Sequence, residues 1–335
     1  MSEKELSTAE AELYDRQIRL WGIESQEKLR ASNVLLIGFR GLGSEIAKNI
    51  LLSGINSLTI LDEGEVTETE LLKNFLLSPN CVGQKIAQAV LPKAQALNPL
   101  VKITADIEPL SKKPKEYFTN FTIIVGTGLM TKQLLNIDNI CREFNIKFIC
   151  GDVFGMFGYT LADFQNHDYY VDLVRLPRKK RTHDEINSNE MITEKVHSKI
   201  SYPAFDDVLS VVQKTIKTVE MKRKRRNELY YLMRLLIEFR DKNGRNPEYS
   251  LKIVDLEEMK SIRKELLHKY KFKEANFKED ILDLVFGEIA PICAIVGGVV
   301  AQEVIKAVSH KEVPIHNMFL LNPYTFSGKE ESVGF

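Results

Sequence analysis

Two arginines, a glycine-rich turn and one aspartate are the residues whose types and spacing could do chemistry in this chain. The stretch Tyr14-Asp15-Arg16-Gln17-Ile18-Arg19-Leu20-Trp21-Gly22 carries the only tryptophan. If it is helical, Arg16 and Arg19 stand three apart on one face, with Ile18 and Trp21 forming an apolar one. A guanidinium keeps its charge and grips phosphate oxygens as a bidentate fork, so the pair could serve a phosphate-rich ligand. The plainer alternative is a surface helix with snorkelling arginines. Further on comes Gly38-Phe39-Arg40-Gly41-Leu42-Gly43, a turn whose bare backbone would let amides at a helix N-terminus approach phosphate oxygens. Asp62 lies 24 residues beyond Gly38, close to where a nucleotide-binding βαβ unit places the carboxylate that holds a ribose. The spacing is G-x-x-G-x-G, however, and Arg40 occupies its third position. That arginine could fill the phosphate's place or swing out to bind one, so the pattern argues for the fold more than for a working nucleotide site. The turn and Asp62 by themselves also fit a dinucleotide-binding oxidoreductase.

The elements that must position these groups are legible around them. Val34 to Gly38 is uncharged, as suits a central parallel strand covered on both faces. Ser44 to Ser53 reads as a helix with Ile46, Ala47, Ile50 and Leu51 on one side, and Ser57 to Leu61 as the next strand. A helix over Lys85 to Leu97, kinked or broken at Pro92, precedes alternating Val101, Ile103, Ala105 and Ile107. Phe121 to Val125 and Lys147 to Cys150 read as strands flanking a helix over Lys132 to Phe144. Gly151 to Gly158 reads as a glycine-rich hairpin or a contact site, with Tyr159 to Phe164 returning as a strand.

From Asn166 to Lys199 the composition turns polar, and Arg178 to Ser198 reads as a mobile surface loop. Phe205 onward is helical in pattern, with an apolar stripe Leu229, Leu232, Leu235, Leu236 and Phe239, and further helices over Leu256 to Tyr270 and Lys278 to Phe286. No catalytic constellation stands out there. The run Lys222 to Arg226 is a solvated helix face or a nuclear targeting signal; the expected location is the nucleus, with the cytoplasm second. Pro291 to Val308 is apolar around Gly297 and Gly298, which points to close approach of another backbone, and Met318 to Leu321 adds a last strand. The expected architecture is a doubly wound α/β domain, residues 1–165 and 286–335, with a mostly helical insertion at 166–285.

Composition narrows the function classes. Lys plus Arg (46) equals Asp plus Glu (46), so overall charge calls for neither nucleic acid nor a membrane surface. Cys81, Cys141, Cys150 and Cys293 lack metal-type spacing and read as small buried hydrophobes in a reducing compartment. Ile289 to Gln302 reads as too short to span a bilayer.

The opening stretch, followed by the strand and glycine turn, resembles the start of the eukaryotic activating enzymes for ubiquitin-like modifiers, whose bacterial relatives are the ThiF and MoeB adenylyltransferases. Val82-Gly83-Gln84-Lys85, Gly151-Asp152-Val153-Phe154-Gly155, and Glu288-Ile289-Ala290-Pro291 running into Ala294 to Gly298 match as well. Such enzymes adenylate the C-terminus of a small modifier with ATP and magnesium, and the eukaryotic ones pair an active domain with a silent one. The resemblance implies that this chain is a silent half. Where active members carry an ATP-handling Asn-x-Asn-Arg-Gln-Phe segment, Leu72 replaces an amide and Lys73 the arginine, while Phe75 fits. Where they carry a magnesium-binding aspartate, the loop Gly126 to Thr131 has no acid. Gly38, Gly41, Gly43, Asp62 and Lys85 then outline a vestigial pocket, with no metal site of its own. ATP, magnesium and the thioester cysteine are implied in a larger catalytic partner. Arg16 matches the family arginine that reaches across the dimer to the ATP phosphates, Arg19 being a weaker candidate. Chain length implies SUMO as the modifier; a silent subunit for another modifier, or a scaffold with no residue in the active site, is the alternative.

Overall fold

The computed structural model describes residues 8–175, 192–215, 228–270, 274 and 277–334. It opens with α1 (Thr8–Leu13), α2 (Asp15–Trp21) and α3 (Ile23–Arg30), the last two parted by Gly22 at φ +87°. Then β1 (Asn33–Ile37) passes through the glycine turn into α4 (Gly41–Leu52), and β2 (Ser57–Leu61) follows. Next come α5 (Glu68–Leu71), α6 (Ile86–Ala89) and α7 (Leu91–Leu97). The helix expected over Lys85 to Leu97 is thus two pieces meeting at Val90, because Pro92 begins the second and has no amide with which to continue the first.

The core continues through β3 (Lys102–Asp106), α8 (Lys115–Phe118), β4 (Ile123–Thr127), α9 (Thr131–Glu143), β5 (Lys147–Phe154) and β6 (Phe157–Asp163). An antiparallel ribbon, β7 (Asn166–Arg175) with β8 (Ile192–Ser201), leads to α10 (Phe205–Thr215), α11 (Glu228–Asn243) and α12 (Lys252–Tyr270). The chain returns through α13 (Ala290–Ser309), β9 (Met318–Leu321) and β10 (Gly328–Glu331).

The main sheet has the order β10-β9-β6-β5-β4-β1-β2-β3. The five strands β3, β2, β1, β4 and β5 run parallel, and β6, β9 and β10 extend the sheet antiparallel. Period-two alternation divides the core between two faces. Leu35 and Ile37 join residues of α9 and α11 on one side, while Val34 and Leu36 join α4 and α13 on the other. Both sides of β1 are therefore buried, which is why its sequence carries no charge. This is the expected doubly wound α/β architecture.

Three expectations need correction. Residues Ile192 to Ser198 belong to β8 and not to a loop. Their polar composition reflects a two-stranded ribbon whose residues are mostly solvated, as Glu194, Lys195 and Ser198 are, so no apolar alternation marks them. Within Lys278 to Phe286 the structure forms only a short 3₁₀ turn, Asp280–Leu284. Finally, α13 is 20 residues long and apolar enough to cross a membrane by length and composition, longer than the stretch read from sequence. Its side chains Ile292, Val296, Val300 and Val304 are buried in the protein core. Gly297 lies where a Cβ would come within 2.9 Å of Glu45 Cβ on α4, the close approach that its sequence pattern implied. The basic residues Arg178 to Arg181 and Lys222 to Arg226 fall outside the described residues.

Candidate functional site: a closed crevice and an arginine arm

In an open parallel sheet a ligand crevice forms where the strand order reverses, outside the carboxyl ends of the strands. Here that point lies between β1 and β4. A cleft of about 290 Å³ opens there, lined by Gly38 and Arg40 of the turn, Asp62 after β2, Thr127 to Met130 after β4, and Asp152 of β5. Glu288, before α13, and Arg240, Arg245 and Asn246 of the insertion complete its wall.

Most of the polar groups of this crevice are spent on the chain itself, although Nη2 of the buried Arg240 has no hydrogen-bond partner among the described residues. Both oxygens of Asp62 accept backbone amides, Phe39 N at 2.6 Å and Gly64 N at 2.8 Å. Asn74 is buried and donates to Phe39 O at 2.9 Å, so the turn is clamped from the other side as well. At the N-terminus of α4, the amide of Leu42 donates to Glu288 Oε1 at 3.1 Å. A carboxylate of the chain therefore takes a position where backbone amides would meet an anion. Burial pushes the Glu288 carboxyl above its ordinary range, with the Leu42 amide acting against that. Asp152 accepts from Gly128 N at 2.7 Å, Tyr159 Oη at 2.8 Å and Arg240 Nη1 at 2.8 Å. Arg240 donates further to Leu129 O and Asn246 Oδ1, and its guanidinium lies over the Phe154 ring. Arg245 forms a bidentate pair with the buried Asp255 of α12, at 2.7 and 2.8 Å.

Of the residues expected to outline the pocket, the structure brings Gly38 and Asp62 together in the crevice. Gly38 has φ +82°, and a Cβ on it would come within 2.4 Å of Thr127 O. Gly43 is turned into the packing, where a Cβ would lie 2.4 Å from Gly38 O, and Gly41 faces Lys73 and the Cys293 sulfur. Each of these glycines has a structural reason to be bare. Lys85 does not line the crevice; its ammonium is held by Glu63 O and Glu65. Leu72 is 85% exposed, and Lys73 stands 3.9 Å from Glu70, which also faces Arg40 at 4.0 Å. Thr127, in the acid-free loop, donates its hydroxyl to Gly38 O at 2.9 Å. Among the described residues no cluster of three or more His, Cys, Asp or Glu side chains could hold a metal ion.

The arginines lie elsewhere. Helix α2 sits against the C-terminal end of α4, with Gln17 Nε2 donating to Leu52 O at 2.9 Å. Arg19 is exposed and paired with Asp15 at 3.1 Å. Arg16 is exposed, and its side chain makes no ion pair or hydrogen bond among the described residues. Three of the four cysteines are buried, and burial pushes the Cys141, Cys150 and Cys293 thiols up, away from a nucleophilic thiolate. The sequence reading missed Arg240, Arg245, and the roles of Asp152 and Glu288. The last two stand inside stretches that carried the family resemblance, which was the available signal; the arginines of the insertion had none.

Comparison with known proteins fits this geometry. The ThiF family model matches residues 14–333. SUMO-activating enzyme subunit 1 of Homo sapiens is 37% identical over 339 residues, spanning 98% of this chain and 96% of that protein. The subunit 1 protein of Xenopus laevis is 35% identical over 345 residues, spanning 100% and 99%. Among solved structures, PaaA superposes with a TM-score of 0.59 at 17% identity over 99% of this chain and 76% of its own. MccB of E. coli, solved with succinimide, gives 0.56 at 11% identity over 96% and 71%, and both similarities speak to the fold alone.

Proposed function

This chain belongs to the ThiF family, in the branch of its SUMO-activating enzyme subunit 1 relatives, and we propose that it is the regulatory half of a heterodimer that activates SUMO, lending Arg16 in trans to the phosphates of ATP bound by a larger partner. The partner holds magnesium-bound ATP, which supplies the adenylyl group, and carries the cysteine that forms the thioester with SUMO. Its nuclear location, with the cytoplasm second, is part of the same proposal.

One observation carries the reading. Twelve residues of α4 separate the crevice from the arginine arm. At a helical rise of 1.5 Å per residue the two lie about 18 Å apart, farther than an arginine side chain spans. Arg16 therefore stands away from this chain's own crevice, which supports a role toward a nucleotide held by another chain. The chain's own crevice supports the same division of labour. Its residues do not fit ATP with magnesium: both oxygens of Asp62 already accept amides, Glu288 takes the Leu42 amide at the start of α4, and the loop Gly126 to Thr131, where the resemblance implies a metal-binding acid, carries none.

Within the proposed complex Arg16 neutralises and positions charge on the phosphates as it develops. Because the arginine arrives with the second chain, catalysis depends on assembly. Arg16→Ala, measured as SUMO-dependent ATP–pyrophosphate exchange by the reconstituted heterodimer, is expected to lose on the order of a hundredfold or more in rate with the two chains still associated. Unchanged exchange by an intact heterodimer would refute the assignment.

A further inference from the structure

Helix α2 is seven residues long and has no fully buried residue, too short and too exposed to hold an arginine in one place by its own packing. Two buried side-chain amides do the holding. At its start, Asn98 is 2% exposed and donates both to Tyr14 Oη at 2.9 Å and to Leu51 O at 2.7 Å, while its own oxygen accepts the Leu100 amide. At its end, Gln26 is fully buried, accepts from Trp21 Nε1 at 3.0 Å and donates to Ser53 O at 2.9 Å. Together with Gln17 on Leu52 O, these contacts serve three successive carbonyls, Leu51, Leu52 and Ser53, at the end of α4. The last carbonyls of a helix have no acceptor role inside it; Leu51 O also accepts the Gly54 amide at 3.2 Å, whereas Leu52 O and Ser53 O are met by the side-chain amides of Gln17 and Gln26. Gly54, at φ +79°, lets the Tyr14 ring close on the backbone: a Cβ there would come within 2.5 Å of Tyr14 Cζ and 2.8 Å of Gln26 Nε2.

We propose that Asn98 and Gln26 are positioning residues for Arg16: acting through Tyr14 and Trp21, they fix both ends of the arginine helix on α4 before any partner arrives. The proposal rests on the reading that Arg16 acts in trans. The ordering cost of the arm is met during folding, so association does not bear it, and the guanidinium enters the partner's site in one orientation. A displacement of about 1 Å in such a group can cost on the order of a hundredfold in rate, so loosening one or both ends should be felt.

The test is a double-mutant cycle in the complete heterodimer. Tyr14→Phe and Trp21→Phe each remove one hydrogen-bonding group from the amides while keeping an aromatic side chain, and the pair of changes frees both ends. SUMO-dependent ATP–pyrophosphate exchange is measured with and without Arg16→Ala, and the melting temperature of the heterodimer is followed in parallel. The expected result is a loss of about tenfold in kcat when Arg16 is present, an unchanged KM for SUMO, and no further loss when Arg16 is absent. An equal loss in both backgrounds would mean a merely structural role and would overturn the proposal, as would no loss at all with Arg16 present. If Arg16→Ala alone matched the wild type, the trans-arginine reading would fall, and the positioning proposal with it.

Discussion

At one end of α4 the chain meets its own carboxylates; at the other it holds an arginine out to solvent. The N-terminal end begins in the crevice, where Leu42 N is answered by Glu288 and Phe39 N by Asp62. The C-terminal end offers Leu51, Leu52 and Ser53 carbonyls to the polar groups that seat α2, and Arg16 is exposed there. In both places helix-end groups are satisfied, yet the consequences differ. Satisfying amides with internal carboxylates removes an anion site, whereas satisfying carbonyls with neutral amides leaves the neighbouring guanidinium free to act. A fold built to hold a nucleotide can therefore engage its crevice's amides with its own carboxylates and still supply a charged group at the far end of α4, about 18 Å along the helix.

Beyond Arg16→Ala, the comparison can be pressed by several substitutions. The largest stability effect is expected at the crevice. Asp152→Ala leaves the buried Arg240 without its carboxylate and should lower the free energy of unfolding by about 3–5 kcal/mol in urea titration, with Asp152→Asn costing less because its one oxygen can still accept from Tyr159 and Arg240, which share one oxygen of Asp152, at the expense of the Gly128 amide. A result near zero would mean that the pair does not hold the crevice wall together. At the other end, Gly54→Ala forces a side chain into Tyr14 and Gln26 at a positive φ. It should cost roughly 1–3 kcal/mol and also slow exchange by the heterodimer, whereas a purely local strain would leave the rate alone.

A control lies away from both ends. Burial, and after it the charge of Asp163, push Asp138 up to about 8, while Asp163 pairs with Arg142 at 2.6 Å. The unfolded chain gives up this proton near pH 4, so between about pH 4 and pH 8 the folded state binds the extra proton. Asp138 therefore contributes progressively less stability as pH rises through that window. Asp138→Asn should flatten the decline of stability with rising pH and leave exchange by the heterodimer unchanged; an unchanged slope would show that the proton is lost elsewhere. The smallest effect is expected for Glu288→Gln, which keeps an oxygen for Leu42 N. Exchange by the heterodimer should stay within about twofold of wild type.

Much of this was readable from the chain alone where the determinants are local. The uncharged β1 run, the glycine turn and the apolar side of α4 specify one βαβ unit, Pro92 specifies the break at Val90, and Gly297 specifies the close crossing of α13 over α4. The crevice's closure was hidden because its partners are remote. Arg240 meets Asp152 across 88 residues and Leu42 meets Glu288 across 246, so no spacing announces either pair. The β7–β8 ribbon was hidden for another reason: solvated strands lack the apolar alternation that marks a half-buried one.

The most direct measurement is SUMO-dependent ATP–pyrophosphate exchange by this chain on its own, set beside the same chain combined with its catalytic partner. The account predicts background exchange from the chain alone and full activity only on mixing; appreciable exchange without the partner would show that the crevice is open to nucleotide and would contradict it.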